Sequence, residues 1–196
     1  MATAFTPREK EQIYASLQDA ATRCVASVGM RHITVDELAR EAGISKGAFY
    51  RFFDSKEHLF LTMLERMHNE MYGSAQQVLE TRMDLPIRAR AILAVKEVCL
   101  IAEKNGAIPF IREEVPLLLR RLPEDLLAKH YKSDEERIRA LILKVNVKLN
   151  TSIETACTVI RLLLMTLLLK GDVGEQFDEA LRVLVEGACD RMLENP

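Results

Sequence analysis

The segment Thr34–Glu57, with the sequence TVDELAREAGISKGAFYRFFDSKE, restricts the possible folds of this chain more than any other feature. Thr34 and Glu37 have the spacing of a capping box, which predicts the start of a helix. Gly43 predicts the end of that helix, because glycine adopts the left-handed backbone conformation at low cost. Ser45 follows as an N-cap for a second helix. Two short helices separated by a tight turn are typical of a helix-turn-helix motif.

The second of these helices carries side chains suited to a DNA surface. Helical spacing turns Lys46, Tyr50 and Arg51 outward, while Phe49 faces the interior. A lysine amine and a tyrosine hydroxyl can donate to phosphates, and Gly47 leaves room for the backbone to approach a groove. The pattern alone also fits a solvent-exposed corner between two helices in some other all-helical protein.

The same segment resembles the DNA-binding head of the tetracycline-repressor (TetR) family. The resemblance rests most strongly on the elements GISKGAFY and FDSKE. Phe52 departs from the family pattern, in which His or Tyr is common. The resemblance implies phosphate contacts from one group of residues and places another group nearest the bases. The first group is Thr34, Ser45, Tyr50 and Lys56, and the second is Lys46, Gly47 and Ala48; the outward-facing Arg51 completes the predicted DNA-binding set.

The net charge of the chain argues against a generally basic nucleic-acid binder. The 196 residues carry a formal charge of −2, and residues 1–56 carry eight basic against seven acidic side chains. So small a positive excess predicts modest, salt-sensitive DNA affinity from a single head.

The length allows no more than two domains. We expect a helix-turn-helix DNA-binding domain over residues 1–54 and a helical effector-binding and dimerisation domain over residues 55–196.

Helical periodicity continues through the second domain without a convincing strand pattern. We therefore expect an all-α fold of about nine helices, with a three-helix, homeodomain-like head and a larger helical body. A long helix from Ser55 is expected to link the two. Pro109 and Pro116 predict a short or kinked helix around them. A further break is expected near Lys132-Ser133.

The last two helices, expected at residues 152–169 and 175–193, are unusually apolar for so short a chain. The first is apolar on most of its sides, so it needs neighbours on most of its sides. Two such helices from each of two chains would form a four-helix bundle with two-fold symmetry. We therefore expect a homodimer through residues 152–193, bound to a pseudo-palindromic operator on double-stranded DNA. The same pattern also fits a core within one chain.

Leucine, isoleucine and methionine side chains with scattered polar groups recur through the body. This composition predicts a mostly apolar cavity for a small hydrophobic effector. The candidate lining residues are Cys99, Phe110, His130, Tyr131, Asn146 and Met165, and plain core packing also explains any one of them. Release of DNA by such a ligand would make the protein a transcriptional repressor, which is the default that the resemblance implies. The alternative is a helical DNA-binding or protein-interaction module without an effector.

The sequence gives no indication of a catalytic, metal or cofactor site. His130 and Asp134 stand four residues apart and could share a metal, but a lone pair is a weak signal. No glycine-rich phosphate loop or CxxC pair occurs, so we expect a protein that is not an enzyme and uses no cofactor. Four widely spaced cysteines fit reduced thiols in a cytoplasmic protein. The strongly apolar run Leu162–Leu169 is too short to span a membrane.

Overall fold

The computed structural model describes residues 5–194, and their regular structure is helical. In chain order the α-helices are α1 (Pro7–Val28), α2 (Val35–Glu41), α3 (Lys46–Phe49), α4 (Lys56–Thr81), α5 (Ile87–Lys104), α6 (Ala107–Pro109), α7 (Val115–Leu119), α8 (Glu124–Lys144), α9 (Ile153–Met165), α10 (Lys170–Val173) and α11 (Phe177–Met192). Short 3-10 turns lie at Met30–His32, Thr166–Leu169 and Gly174–Gln176, and a π-helical turn lies at Phe110–Glu114. Across residues 5–194, β-type pairing is limited to an isolated bridge between Leu149 and Leu193. The predicted all-α fold is confirmed.

The chain forms two compact units. The first contains the described residues up to Arg66 together with Phe110–Pro123, and the second contains Met67–Pro109 together with the described residues from Glu124 onward. α4 contributes its first turns to one unit and its remaining turns to the other. This grouping differs from a division after residue 54, and the domain boundaries given above stay a prediction. In the described part of the chain, no helix is both long and apolar enough to cross a bilayer.

The first unit has an aromatic interior beneath its N-terminal helices. Phe49, Phe53 and Phe60 are buried, and the ring centroids of Phe49 and Phe53 lie 5.9 Å apart. α1 begins with a capping box, in which the Glu9 carboxylate accepts from the backbone N–H of Thr6 at 2.7 Å. Buried aromatic rings supply large apolar areas, so they stabilise a core built from short helices.

The segment Phe110–Pro123 is interrupted, as its prolines predict. α6 ends at Pro109, a π-helical turn follows, and Pro116 lies in the first turn of α7. A proline has no backbone N–H and is tolerated best at the start of a helix, which explains the sequence of short pieces. The segment packs within the first unit, where Arg121 Nη1 lies 3.4 Å from Glu57 Oε1.

The second unit is a bundle of α5, α8, α9 and α11 with the later turns of α4. A buried cluster at its centre contains Ile138, Ala156 and Cys157, and Tyr72 and Met192 pack against it. These residues come from four different helices, so each helix presents one apolar face to a shared interior.

The expected break near Lys132-Ser133 is wrong, because α8 is continuous from Glu124 to Lys144. Lys132 Nζ lies 3.8 Å from Glu136 Oε1 across one helical turn. A serine in a helix interior costs only a fraction of a kcal/mol relative to alanine, roughly 0.5. Burial of His130 and Ile138 on either side of the serine outweighs that cost.

Candidate nucleic-acid interface and ligand cavity

α2 begins at a fixed position because its first turn is closed by a reciprocal pair of hydrogen bonds. The Thr34 hydroxyl accepts from the backbone N–H of Glu37 at 3.2 Å, and the Glu37 carboxylate accepts from the backbone N–H of Thr34 at 2.7 Å. The same hydrogen bond from the Thr34 backbone lowers the pKa of the Glu37 carboxyl. The predicted capping box is confirmed.

The turn between α2 and α3 depends on Gly43, whose φ of 71° lies in the left-handed region. The backbone N–H of Gly43 donates to Arg40 O at 3.1 Å, and that of Ile44 donates to Ala39 O at 2.9 Å. This pair of bonds is a Schellman motif, which satisfies the last carbonyls of α2. The motif sets the direction in which the chain enters α3.

α3 is capped by Ser45, whose hydroxyl accepts from the backbone N–H of Ala48 at 3.1 Å. Phe49 is buried, whereas Tyr50 is 50% exposed. The two rings meet edge to face with centroids 5.5 Å apart. The buried ring therefore positions the exposed one, which supports Tyr50 as a contact residue on the outer surface.

The predicted DNA-binding residues occupy one short stretch of the first unit. Thr34, Ser45, Lys46, Gly47 and Arg51 are exposed in the same way as Tyr50, and Ala48 is half-buried. A Cβ built on Gly47 would meet no described atom within 4 Å. The space beside Gly47 is therefore open to a partner and is not filled by the chain's own packing.

Lys46 is held in an ion pair on this surface. Its Nζ lies 2.7 Å from Asp36 Oδ2, and this hydrogen bond raises the pKa of the amine. Both side chains are more than half exposed. An exposed pair of this kind contributes little to stability, so the lysine can exchange the carboxylate for a phosphate or a base at low cost.

Lys56 has a different environment from the one that the resemblance implied. Its Nζ donates to Ile33 O at 2.6 Å and to Met30 O at 3.2 Å. The amine thereby satisfies carbonyls around the 3-10 turn at Met30–His32 and ties the start of α4 to the end of α1. These bonds give the amine a role within the unit, and the phosphate contact that the resemblance implies stays a prediction.

We expect Lys56→Met to lower the free energy of unfolding of the protein by roughly 2 kcal/mol, since hydrogen bonds from a charged donor are worth about 1.5–3 kcal/mol. Urea denaturation followed by circular dichroism measures this change. Lys10→Met is the matched control, because Lys10 is exposed on α1. Equal stability of the two variants would contradict the structural role of Lys56.

The second unit contains an apolar cavity of about 150 Å³. Its lining comes from α4, α5, α8, α9 and α11 and includes Leu79, Val95, Leu141, Ile160, Leu164 and Val185. The hydroxyl of Tyr72, which also lines the cavity, donates to Asp134 Oδ1 at 2.6 Å. Because the Tyr72 hydroxyl is already hydrogen-bonded to Asp134, the cavity is suited to an apolar molecule.

The six candidate lining residues do not line this cavity. Tyr131, Asn146 and Met165 are exposed, and Phe110 is buried in the first unit. Cys99 is buried in the second unit but lies beside a different surface depression. The composition of the body predicted an apolar cavity, but it could not identify which residues border it.

His130, the remaining candidate, belongs to a buried polar cluster. Its ring stacks on that of His68 with centroids 5.6 Å apart, and His68 Nδ1 lies 3.5 Å from Asp134 Oδ1. Burial lowers the pKa of His68 to about 4, so its imidazole is neutral at neutral pH. Within residues 5–194, no group of three or more His, Cys, Asp or Glu side chains could hold a metal ion.

The cavity could have been anticipated from small residues at inward positions. Ala91 and Ala94 on α5, Ala156 on α9 and Ala188 on α11 all line it. Larger aliphatic residues at these positions would fill the interior, as close packing normally requires. Several alanines on the facing sides of neighbouring helices are therefore the sequence signal that the prediction missed.

The capped helix-turn-helix and the helical second unit define an all-α helix-turn-helix protein. Residues 17–63 match the family model described as bacterial regulatory proteins, tetR family. This match covers the helix-turn-helix part of the chain, and the resemblance stated above is confirmed.

Relatives and solved structures agree with this assignment. The chain is 30% identical over 135 residues to the uncharacterized HTH-type transcriptional regulator YuxN of Bacillus subtilis (strain 168), covering 64% of this chain and 45% of that protein. It is 30% identical over 108 residues to the nucleoid occlusion factor SlmA of Aliivibrio fischeri (strain MJ11), covering 55% of this chain and 53% of that protein. The chain thus spans about half the length of the curated relatives it matches.

Among solved structures, the fold is similar to that of the transcriptional regulator FadR from Bacillus subtilis, solved in complex with stearoyl-CoA. The TM-score is 0.63 at 17% sequence identity, with 89% of this chain and 97% of that chain covered. At this identity the likeness shows the fold alone.

Proposed function

We propose that this chain is a dimeric, sequence-specific transcriptional repressor, and that a small apolar ligand in the cavity lowers its affinity for a pseudo-palindromic operator. The observation that carries the proposal is the capped helix-turn-helix with Ser45, Lys46 and Tyr50 exposed along one short stretch. The family consists of regulators, so we assign the chain no catalytic activity. We also propose that it acts in the cytoplasm.

DNA recognition by this surface follows from its donors. The Tyr50 hydroxyl and the Ser45 hydroxyl are suited to phosphate oxygens, and Lys46 can reach a phosphate or a guanine. The open space beside Gly47 lets the backbone approach the floor of a major groove. Since few side chains read bases, one head gives limited specificity, and two heads are needed for a tight operator complex.

The second copy is proposed to bind across α9 and α11, which pack against each other in the second unit. Leu162 and Met165 on α9 and Val183 and Leu184 on α11 are each more than half exposed. An exposed apolar surface on two adjacent helices is typical of a subunit interface. A two-fold axis through this surface would bury both pairs in a four-helix bundle.

The cavity is the proposed effector site. Its volume of about 150 Å³ equals that of an engineered apolar cavity that binds benzene and is below the ~300 Å³ of typical drug-sized pockets. The ligand should therefore be small or slender. FadR from Bacillus subtilis, which has the same fold, binds stearoyl-CoA, and this supports a ligand with an alkyl chain. A ligand that prefers the conformation with low DNA affinity releases the operator by linkage.

We expect Ala94→Leu to weaken binding of an apolar ligand by about tenfold or more, because the larger side chain occupies the cavity and removes apolar contacts worth roughly 1.5–3 kcal/mol. Titration calorimetry with 1-decanol measures the affinity. Operator binding should be retained, since Ala94 lies in the second unit. Ala128→Leu, at an exposed position on α8, is the matched control. Unchanged decanol affinity in Ala94→Leu would place the ligand elsewhere.

Selection of bound sequences from random double-stranded DNA tests the regulatory function as a whole. A two-fold symmetric motif is the expected result, and its half-site spacing should be close to one helical turn or a little more. Recovery of no enriched sequence would overturn the proposal of sequence-specific binding.

The alternative is a DNA-binding or protein-interaction module without an effector, and the relative named as a nucleoid occlusion factor makes it a serious candidate. The two proposals differ in the response to ligands. An enriched DNA motif combined with failure of any apolar compound to bind the protein would favour the alternative.

A further inference from the structure

Arg90 is a buried cation without an anionic partner. It lies on α5 and is only 9% exposed, yet among residues 5–194 it forms no salt bridge with a carboxylate. Its Nη1 donates to Leu79 O at 2.9 Å and contacts Met83 Sδ at 2.9 Å, while its buried Nε has no hydrogen-bond partner in the described structure. Burial of an uncompensated charge is unfavourable, so such a group normally faces an anion.

Arg90 lines a second depression, with a volume of about 250 Å³. The other polar side chains there are Gln76, Glu80 and Lys144. Glu80 accepts from Lys144 at 2.5 Å and from Gln76 at 3.1 Å, and the bond from Lys144 lowers the pKa of its carboxyl. The lysine and the glutamate therefore compensate each other. The guanidinium of Arg90 remains the uncompensated positive charge of this depression.

The depression adjoins the apolar cavity. Leu79, Leu141 and Val145 line both of them. The two spaces therefore share part of their apolar lining within one helical unit. A slender molecule that runs along these side chains would have its apolar part in the cavity and a polar end in the depression.

We propose that Arg90 binds the anionic end of an amphiphile whose alkyl chain occupies the apolar cavity. This inference rests on the ligand cavity of the proposed function and adds the class of ligand: an alkyl or acyl chain ending in a carboxylate or a phosphate. A single buried guanidinium matches a single anionic group, and its planar N–H donors suit carboxylate and phosphate oxygens. The present bond to Leu79 O uses Nη1, and the buried Nε has no partner among the described residues.

Titration calorimetry with the full-length wild-type protein tests this assignment. The probes are decanoate, decanoyl-CoA and 1-decanol at neutral pH, which share the chain length and differ in the end group. Decanoate should bind about tenfold more tightly than decanol, as a charge-assisted hydrogen bond predicts. Tighter binding of decanoyl-CoA than of decanoate would identify a phosphate source, and the reverse order would identify a free carboxylate.

Arg90→Gln should remove the preference for decanoate and leave the affinity for decanol unchanged, since the amide keeps a donor for Leu79 O but loses the charge. Arg82→Gln is the matched control, because Arg82 is exposed and pairs with Asp84. If Arg90→Gln does not fold, the side-chain ¹⁵N signal of Arg90 in the wild type, assigned with Arg90→Lys, provides the readout. Decanoate should shift that signal, and decanol should leave it in place.

The outcomes separate this inference from the proposed function. Equal affinities for decanoate and decanol, or a preference that survives Arg90→Gln, would overturn the role of Arg90 while the cavity remains a ligand site. Failure of all three probes to bind would overturn both the anion site and the effector cavity. DNA binding, measured separately by mobility shift, would be unaffected by either result.

Discussion

The double variant Lys46→Ala, Tyr50→Phe should bind its operator about a thousandfold more weakly than the wild type. Each lost phosphate or base contact costs roughly 1–3 kcal/mol, and a dimer loses every contact twice. The fold should be retained, because Tyr50 is 50% exposed and the ion pair of Lys46 with Asp36 is exposed as well. Mobility shift with the operator obtained from random-sequence selection measures the affinity.

The second unit offers a closely matched control for this experiment. Lys129→Ala, Tyr131→Phe removes the same chemical groups from exposed positions on α8, and Tyr131 is as exposed as Tyr50. This variant should bind the operator normally. If both double variants bind like the wild type, DNA does not contact α3, and the assignment of the helix-turn-helix surface fails.

The helix-turn-helix could be predicted almost completely because its determinants are local. The bonds that set it connect residues three to five positions apart: Thr34 with Glu37, Ala39 with Ile44, and Ser45 with Ala48. Capping residues and a left-handed glycine fix such contacts whatever the rest of the chain does. The role of Lys56 could not be predicted in this way, because its acceptors lie 23 to 26 residues earlier in the sequence.

The sequence predicted an apolar cavity but not the residues that line it, for a physical reason. Periodicity indicates which side of a helix faces inward, but a cavity arises where several inward sides fail to meet. Tyr131 and Met165 have apolar side chains within helices, yet both are exposed. Phe110–Pro123 packs in the same unit as the N-terminal helices. This packing joins segments that are far apart in the sequence, so the periodicity of apolar residues does not predict it.

Arg90 illustrates a further limit of the sequence. An arginine one turn into a helix is normally an exposed residue, and nothing in its neighbours indicates burial. Its burial follows from the approach of α4, whose Leu79 carbonyl it caps, and from the side chains of α8 on the far side of the depression. Buried cations of this kind therefore have to be found in the structure, where each is a candidate for a binding site.

Gly187→Arg should convert the protein into a monomer and weaken operator binding by about a hundredfold or more. Gly187 is exposed on α11 and follows Val183 and Leu184 by one turn, so it lies on the proposed dimer face. A Cβ added there would meet no described atom within 4 Å, so the substitution should not disturb the folded subunit. In the dimer, an arginine would place a long charged side chain in an apolar interface. Sedimentation equilibrium at micromolar concentration measures the subunit association.

The loss of DNA affinity follows from the loss of linkage between the two heads, since joining two weak sites raises overall affinity by about 10²–10⁴. Gly73→Arg is the matched control, because Gly73 is also an exposed helical glycine with open space beside it, but lies on α4 outside the proposed interface. That variant should remain dimeric and bind the operator normally. A Gly187→Arg protein that stays dimeric would move the interface away from α11. A monomer that still binds the operator with wild-type affinity would instead show that one head recognises the whole site. In that case the second subunit would contribute nothing to the affinity for the operator.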